Sequence, residues 1–344
     1  MAEETGIAWT DSTFNPWRGC MKVSEGCKNC YAEQLVTKRQ GLQVWGQDAR
    51  RIVAAESTWK NPVRWNKQAG MYPDRCTKCG QRLCMAAQIK IGNSVCPSQR
   101  DAAGNFDPSV PRCGGTVEID VKPKVFCASL ADIFERYEGP AMDAVWAARA
   151  RLFVLVKDTP RLIWQLLTKR PENIMDMVPQ SWRESWPRNV WIGCTVENQA
   201  RANERLPHLL RVPAAVRFVS YEPALGPVEF TKILLKKADP AAAARGKPNV
   251  TMDALRGWHG GADEGRSRID WLIVGGESGP GARPFDLAWA CSAVQQCQDA
   301  GVAVFVKQLG TNPQTHGVSL GRVPGKGGDL ACMPQDLRVR EFPQ

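Results

Sequence analysis

The sequence predicts an α/β fold, a partial or full TIM-like (β/α) barrel of about six or seven parallel strands with a cysteine-rich insertion. Two observations support this prediction. From about residue 120 onward, short apolar segments alternate with amphipathic helical segments, a pattern typical of a parallel sheet covered on both faces. The apolar segments also end in polar residues, and barrels of this kind carry their chemistry at the carboxyl ends of the strands.

Seven strands are predicted, one near the N-terminus and six in the later part of the chain. The first is expected at about 6–10, and the others at 124–132, 161–171, 190–198, 216–223, 271–281 and 302–310. The clearest helix is predicted at 141–156, although Arg149 interrupts its apolar stripe. The apolar residues that recur at helical steps there are Met142, Val145, Trp146, Leu152, Phe153 and Val156.

Composition divides the chain into four parts. Residues 1–58 contain the N-terminal strand, a cysteine-containing loop and the first helix, and residues 59–120 form a cysteine-rich, metal-binding insertion with little periodicity. Residues 121–312 continue the barrel, and residues 313–344 form a C-terminal extension. Within the barrel, residues 236–268 are rich in Ala, Gly, Pro and charge, which favours an inserted loop or lid.

The net charge of +10 at pH 7 is compatible with a nucleic-acid partner, and equally with a moderately basic enzyme that binds no polyanion. No apolar run approaches the roughly 20 residues that span a bilayer. The N-terminal "MAEETGIAWT" has acidic residues where a signal peptide has basic ones. We therefore predict a cytoplasmic protein without membrane association, in which 13 cysteines indicate metal binding or catalysis before disulfides.

Three cysteines stand close together in "FNPWRGCMKVSEGCKNCYAE", at Cys20, Cys27 and Cys30. Pro16 and Gly19 place the first of them on a loop that leaves the first strand, and helical residues follow the third directly. Three thiolates at the carboxyl end of a barrel strand can hold three irons of a 4Fe–4S cluster, whose fourth iron stays open to a substrate or cofactor. A closed zinc site is the alternative, but it needs a fourth ligand from elsewhere.

A second cysteine group lies in the insertion. A plausible four-cysteine zinc site consists of Cys76, Cys79, Cys96 and Cys113. Glycines follow the second and fourth of these cysteines, as in knuckles where backbone amides donate to sulfur. An auxiliary iron–sulfur cluster, with Cys84 as a further ligand, and a segment without metal are the alternatives.

The stretch "NPWRGC…CKNCYA" resembles the cluster loop of radical S-adenosylmethionine enzymes, including relatives of spore photoproduct lyase. The chain also resembles a phage-associated family known for a three-cysteine motif, over roughly residues 7–310 apart from the insertions. Two features depart from the usual motif: the first spacing is six residues rather than three, and Asn29 stands where an aromatic residue often precedes the third cysteine. The matching stretches are "FCASLADIFE", "LLTKRPENI", "VSYEPALGPV", "IVGGESGPGARP" and "FVKQLG".

The resemblance implies that S-adenosylmethionine binds the open iron through its amino and carboxyl groups. Its reductive cleavage, with electrons from a donor such as flavodoxin or ferredoxin, would give a 5′-deoxyadenosyl radical that abstracts a hydrogen atom. By position we expect Ser129 and Asp132 near the amino group, and Lys169 or Arg170 near the carboxylate. The other candidates for cofactor binding are Glu197, Asn198, Gly275, Gly276 and Glu277. The candidates for catalysis are Cys127, Cys194, Tyr221 and Glu222, although single cysteines in strands such as Cys127 and Cys194 are more often buried as small hydrophobic residues.

The predicted function is that of a radical S-adenosylmethionine enzyme, of isomerase or lyase type, that acts on a base of DNA or on a modified nucleoside. A concrete version is phage DNA hypermodification, in which an amino-acid adduct on the thymine 5-methyl carbon is rearranged, in the host cytoplasm and with or without a partner protein. One alternative is a DNA-lesion repair lyase, in which Cys127 or Cys194 returns a hydrogen atom. The other is a zinc-dependent nucleic-acid-binding module without catalysis.

Overall fold

The computed structural model describes residues 5–71, 74–76, 78, 82–83, 109, 113–114, 116–118, 120–236, 249–257, 267–321 and 323–343. Cys79 and Cys96, two of the cysteines predicted for the second metal site, lie outside these residues. The same is true of 237–248 and 258–266, which make up most of the predicted inserted loop.

Seven strands of the described residues form one sheet in which all neighbours are parallel. They follow one another across the sheet in chain order, and the sheet curls into half a barrel. The fold is therefore a partial TIM-like (β/α) barrel, which confirms the predicted fold class. The strands are β1 (Ser12–Phe14), β2 (Lys124–Cys127), β3 (Ile163–Thr168), β4 (Val190–Thr195), β5 (Val216–Tyr221), β6 (Trp271–Gly275) and β7 (Ala303–Gln308).

The carboxyl ends of neighbouring strands lie side by side. Phe14 pairs with Cys127 across β1 and β2, and Tyr221 pairs with Val274 across β5 and β6. Because parallel strands all point the same way, the residues that follow them meet at one edge of the sheet. This register brings segments that are far apart in the chain to a single site.

The two faces of the sheet carry separate cores. Alternate strand residues point to opposite faces, so that Val125, Leu166 and Val219 pack in the outer core under the helices. The inner face carries an aromatic core, formed by Trp9, Phe126, Phe218, Trp271, Ile273 and Phe305.

The N-terminal segment fills the interior of the half-barrel. The strand predicted at 6–10 is absent from the described residues there; β1 begins at Ser12 instead. Trp9 packs with its ring centre 4.6 Å from that of Phe126, and Ile7 packs against the same core. The apolar residues of this segment therefore fill the inner face of the sheet instead of pairing as a strand.

The α-helices of the described residues, apart from the short one directly after Cys30, pack on the outer face. The helix predicted at 141–156 is confirmed, and Arg149 is buried in it because its guanidinium donates to the carbonyl oxygens of Ile133 and Glu135 at 2.7 and 2.8 Å. Met142 and Trp146, which the prediction placed in the apolar stripe, are exposed. The helices are α1 (Tyr31–Glu33), α2 (Glu56–Met71), α3 (Met142–Asp158), α4 (Ile174–Met177), α5 (Gln180–Glu184), α6 (Gln199–Leu209) and α7 (Leu287–Ala300).

Short elements complete the chain. In the cysteine-rich insertion, Asp74–Cys76 pairs antiparallel with both Arg82–Leu83 and Val117–Glu118. In the C-terminal extension, the Glu341 carbonyl accepts from Trp271 Nε1 at 2.8 Å, so that this segment covers the amino end of the inner core. No helix among the described residues is long and apolar enough to cross a bilayer.

The remaining short strands are Trp17–Arg18, Ile52–Val53, Ile233–Lys236, Val250–Met252, Phe285–Asp286, Pro313–Thr315 and Val318–Ser319. The 3-10 turns are Glu25–Cys27, Pro171–Asn173, Pro324–Gly327, Leu330–Cys332 and Gln335–Leu337, and a π-helical turn spans Gln34–Arg39.

Candidate functional site

A cavity of about 370 Å³ lies at the carboxyl edge of the sheet. Its floor is the top of the inner core, with Trp9, Phe126 and Leu167, and its walls are residues at or directly after the carboxyl ends of β2, β3, β5, β6 and β7. The loop that follows β1 forms another wall. The residues predicted from sequence that line this cavity are Cys20, Cys27, Cys30, Ser129, Asp132, Lys169, Arg170, Glu222, Gly276 and Glu277.

The three N-terminal cysteines face this cavity from a loop with defined backbone structure. Gly19 has φ +111°, and a Cβ there would lie 2.4 Å from the Val44 carbonyl oxygen, so only glycine fits immediately before Cys20. Cys27 ends a 3-10 turn, and Cys30 directly precedes α1. The prediction that a helix begins after the third cysteine is confirmed.

The donor set fits an iron–sulfur cluster chemically, because soft thiolates are its usual ligands. Among the described residues no group of three or more His, Cys, Asp or Glu side chains is arranged to hold a metal ion. Burial raises the pKa of the Cys20 thiol to about 12, although the Arg170 charge acts in the opposite direction. Burial also raises the pKa of Cys30. Both thiols are therefore protonated at neutral pH until a metal displaces the proton.

Glu197, predicted to contact the cofactor, supports the cysteine loop from below. It is fully buried, accepts from the Ser24 hydroxyl at 2.7 Å and forms an ion pair with Arg205 at 2.7 Å. It does not line the cavity. Its carboxylate holds the middle of the loop onto the end of β4.

Glu277 and Arg283 brace the other end of the same loop. Glu277 accepts from the Asn29 side-chain amide at 2.9 Å and from Arg283 Nη2 at 2.6 Å. Arg283 Nη1 in turn donates to the Glu25 carbonyl at 2.7 Å. Burial would raise the pKa of Glu277, but the hydrogen bonds from Arg283 and Asn29 keep it below its ordinary value. The unusual Asn29 thus connects the loop to the end of β6.

Asn198 also contacts the loop rather than the cavity. Its side-chain amide donates to Glu25 at 2.5 Å, and Arg201 forms an ion pair with the same carboxylate at 2.9 Å. The Arg201 hydrogen bonds lower the pKa of Glu25 to about 2, so the carboxylate is charged at neutral pH. Together with the contacts of Glu197 and Arg283, this contact braces the six residues between Cys20 and Cys27.

Asp132 and Arg170 organise the turn after β3. The Asp132 carboxylate accepts from Thr168 Oγ1 at 2.7 Å, from the Phe134 and Lys169 amides and from Arg170 Nη1 at 2.8 Å. Burial opposes its charge, but Arg170 and these donors lower its pKa overall. Arg170 also donates to the Met21 carbonyl at 2.7 Å and lies 3.8 Å from Cys20 Sγ. Both side chains are therefore engaged with the protein.

Lys169 points toward Thr195, whose hydroxyl accepts from its ammonium at 3.2 Å. It has no carboxylate within ion-pair distance among the described residues. Two other lysines of the wall differ, because Lys307 forms an ion pair with Glu222 at 2.9 Å and Lys22 forms one with Glu33 at 2.7 Å. Lys169 is thus placed to bind an anionic group of a ligand.

Two glycines of β6 and its end are required by neighbouring protein atoms. A Cβ at Gly275 would lie 2.7 Å from Glu222 Oε1, and one at Gly276 would lie 2.3 Å from the Leu309 carbonyl oxygen. Contacts within the protein therefore account for glycine at both positions, and the close approach of a nucleoside is not needed to explain them. Gly275 does not line the cavity, whereas Gly276 does.

Three of the four residues predicted to be catalytic lie on the outer face of the sheet. Cys127, Cys194 and Tyr221 are fully buried in the core under the helices and do not line the cavity. Burial raises the pKa of all three, that of Cys194 to about 12. The reason is strand alternation: their immediate neighbours Phe126, Thr195 and Glu222 face the cavity instead.

Sequence reasoning missed the residues that brace the loop. Ser24, Arg205 and Arg283 carried no local signal, because their partners are distant in the chain: Ser24 and Glu197 are 173 residues apart, and Arg283 and Glu25 are 258 apart.

Gly26→Ala should destabilise the protein by about 1–3 kcal/mol, as overpacking of a closed site does. A Cβ at Gly26 would lie 2.2 Å from Glu197 Oε1, and Arg205 prevents that carboxylate from moving aside. Denaturant unfolding of the variant measures the effect. Gly6→Ala is the control, since a Cβ at that position would have no described atom within 4 Å. Equal stability of the two variants would contradict the prediction.

The fold and the cavity define an α/β partial-barrel protein with a three-cysteine loop at the carboxyl edge of its sheet. The chain belongs to the family described as "Protein of unknown function (DUF5131)", whose model matches residues 4–323. No curated protein and no solved structure matches it.

Proposed function

We propose that the protein is a radical S-adenosylmethionine enzyme that binds a 4Fe–4S cluster through Cys20, Cys27 and Cys30. The observation that carries the proposal is the convergence of these three thiols on one cavity at the carboxyl edge of an all-parallel sheet. The carboxylates in the cavity wall are engaged by Arg170, Lys307 and Arg283. A fourth protein ligand is thus disfavoured, as an open iron site requires. When bound, the cluster supplies the electron for reductive cleavage of S-adenosylmethionine.

The protein groups around the thiols suit this cofactor. Lys169 would bind the carboxylate of S-adenosylmethionine, since its ammonium is engaged only by a hydroxyl among the described residues. Asp132 and Arg170 hold the Lys169 turn against the cysteine loop, which makes them positioning residues. The floor of the cavity beneath these groups is apolar, with Trp9 and Phe126.

We further propose a base of DNA, or a modified nucleoside, as the substrate. The residues that line the cavity include five cations, Lys22, Lys169, Arg170, Lys307 and Lys326, against three anions, Asp132, Glu222 and Glu277. This excess, and the net charge of +10, favour a phosphate-bearing substrate. Rearrangement of an amino-acid adduct on the thymine 5-methyl carbon is the specific reaction proposed, in the cytoplasm and with flavodoxin or ferredoxin as electron donor.

The two alternatives receive less support. A lesion-repair lyase needs a thiol to return a hydrogen atom, and Cys127 and Cys194 both face away from the cavity. A zinc-binding module without catalysis does not explain why the cysteine loop borders a cavity whose wall carries Lys169, a cation without a carboxylate partner in the described part of the chain.

Anaerobic reconstitution with iron and sulfide tests the proposal. The protein should turn brown, with about four irons per chain from this site, and should release 5′-deoxyadenosine from S-adenosylmethionine. Cys27→Ser should lose the colour, while Cys291→Ser, which changes an exposed cysteine, should keep it. A colourless protein that holds only zinc would refute the cluster. An equal rate of 5′-deoxyadenosine release with and without modified DNA or nucleosides would refute the substrate alone.

A further inference from the structure

A turn of the C-terminal extension brings one more lysine to the cavity. Lys326 lies in the 3-10 turn Pro324–Gly327 and lines the cavity together with residues of the barrel. It is exposed, and no hydrogen bond or ion pair engages its ammonium among the described residues. The nearest acidic residue along the chain, Asp329, accepts instead from the Ala331 amide at 2.9 Å. Lys326 therefore adds a positive charge to the cavity wall that no described carboxylate neutralises.

The turn that carries this lysine is fixed to the end of β7. The Leu309 amide donates to the Gly327 carbonyl at 3.0 Å. Arg340, which also donates to a carbonyl of β7, donates to the Gly328 carbonyl. Gly327 is buried, and a Cβ there would lie 2.8 Å from the Leu309 side chain. These contacts hold the backbone of Lys326 at the carboxyl edge of the sheet.

Lys326 has a backbone conformation that glycine adopts more easily. Its φ is +63°, in the left-handed region, between Gly325 at +57° and Gly327 at +64°. This conformation costs free energy for a residue that has a Cβ. Residues held in such conformations concentrate at active sites and ligand contacts. Stability of the turn does not account for a lysine here, whereas a ligand for its ammonium does.

The other cations of the cavity wall are already engaged or assigned. Three of them form ion pairs with carboxylates, namely Lys22, Arg170 and Lys307. Lys169 is proposed to bind the carboxylate of the cofactor. Lys326 thus remains for an anion of the substrate. The anion that every nucleotide carries is phosphate, and a lysine ammonium binds phosphate as a point charge with three donors.

We infer that Lys326 binds a phosphate group of a nucleotide whose base occupies the cavity. The inference rests on the proposed function for the position of the base. It also selects between the two substrates proposed there, because a nucleotide, in DNA or free, is bound more tightly than a nucleoside without phosphate. Lys326 would contact the substrate away from the reacting atoms, so it positions the substrate and determines specificity.

Equilibrium dialysis of the full chain, before and after reconstitution, tests the inference with a short oligothymidylate, thymidine 5′-monophosphate and thymidine. Lys326→Met should weaken oligothymidylate binding by about 5- to 20-fold. The slope of log K against log salt concentration should fall by about 0.7, as for one phosphate contact on a single strand. Thymidine binding should not change. The same loss with the monophosphate would identify a free nucleotide, and a loss with oligothymidylate alone would identify the DNA backbone.

Two further variants at this position separate binding from stability. Lys326→Arg keeps the charge and should bind oligothymidylate as the parent does. Lys326→Gly removes the charge but suits the left-handed backbone. It should bind as weakly as Lys326→Met, yet unfold at no lower denaturant concentration than the parent. The matched control is Lys157→Met, which removes an exposed lysine in the last turn of α3 and should bind like the parent.

Four results would overturn the inference. The first is a parent protein that binds oligothymidylate no more tightly than thymidine, and the second is unchanged binding in Lys326→Met. The third is an equal loss of thymidine binding, which would indicate a damaged cavity. The fourth is an equal loss in Lys157→Met, which would indicate an effect of net charge alone. Because the measurement needs neither S-adenosylmethionine nor turnover, failure here is distinct from failure of the proposed reaction.

Discussion

Lys169→Met should weaken the binding of S-adenosylmethionine to the reconstituted protein by about 10- to 100-fold, because a charge-assisted hydrogen bond contributes about 1.5–3 kcal/mol. The side chain lines the cavity, and among the described residues only the Thr195 hydroxyl engages its ammonium. A ligand carboxylate would be its first charged partner. Methionine retains the length and apolar stem of the side chain but not the charge.

Equilibrium dialysis of the reconstituted variant measures this loss, with iron content as a check on the cluster. Lys22→Met is the matched control: it removes a cation from the same cavity wall, but one that forms an ion pair with Glu33 at 2.7 Å. We expect the control to bind nearly as well as the parent. Unchanged affinity in Lys169→Met would remove this residue from the cofactor site.

Glu135→Gln should lower the free energy of unfolding by roughly 3–5 kcal/mol, since it leaves a buried charge without its partner. Glu135 and Arg51 are both 1% exposed and meet through two parallel hydrogen bonds of 2.9 and 3.1 Å. Arg51 also donates to the carbonyl oxygens of Val44, Gly46 and Ala49. The pair therefore holds the segment after the cysteine loop against the residues that follow β2.

Denaturant unfolding of two further variants distinguishes this effect from a general effect of substitution. Glu56→Gln removes a carboxylate that also binds an arginine, Arg151, through two hydrogen bonds, but this pair is exposed and should matter much less. The double variant Arg51→Met with Glu135→Gln should be less destabilised than the sum of the single variants. If Glu135→Gln lowers the free energy of unfolding by less than about 1 kcal/mol, the buried pair does not contribute the expected stability.

The fold was largely predictable because its signal is local. Apolar strands such as 216–223, which the structure has as Val216–Tyr221, and the helix at 141–156 are visible as periodicity in a few neighbouring residues. The same local pattern misassigned residues 6–10, because it cannot distinguish an apolar segment that pairs in a sheet from one that fills the inside of a barrel. Trp9 takes the second role.

The site was predictable in part, for a geometric reason. The rule that residues at the ends of parallel strands lie together correctly predicted that Ser129, Asp132, Lys169 and Glu222 line one cavity. The same rule does not place Cys127, Cys194 and Tyr221, which lie in the outer core. Successive side chains of a strand point to opposite faces of the sheet, so a shift of one residue changes the face. Register within each strand has to be known before a role can be assigned.

The sequence by itself determined the class of fold, the three cysteines and the edge of the sheet at which they lie, since these follow from periodicity and from the direction of parallel strands. Only the tertiary structure decided which polar residues face the cavity and which support the loop. Three polar residues that were expected to contact a ligand instead form hydrogen bonds with the cysteine loop. These pairs are Glu197 with Ser24, Asn198 with Glu25, and Glu277 with Asn29. Those contacts join residues far apart in the chain, and they show that the cysteine loop is held by carboxylates at the ends of β4 and β6.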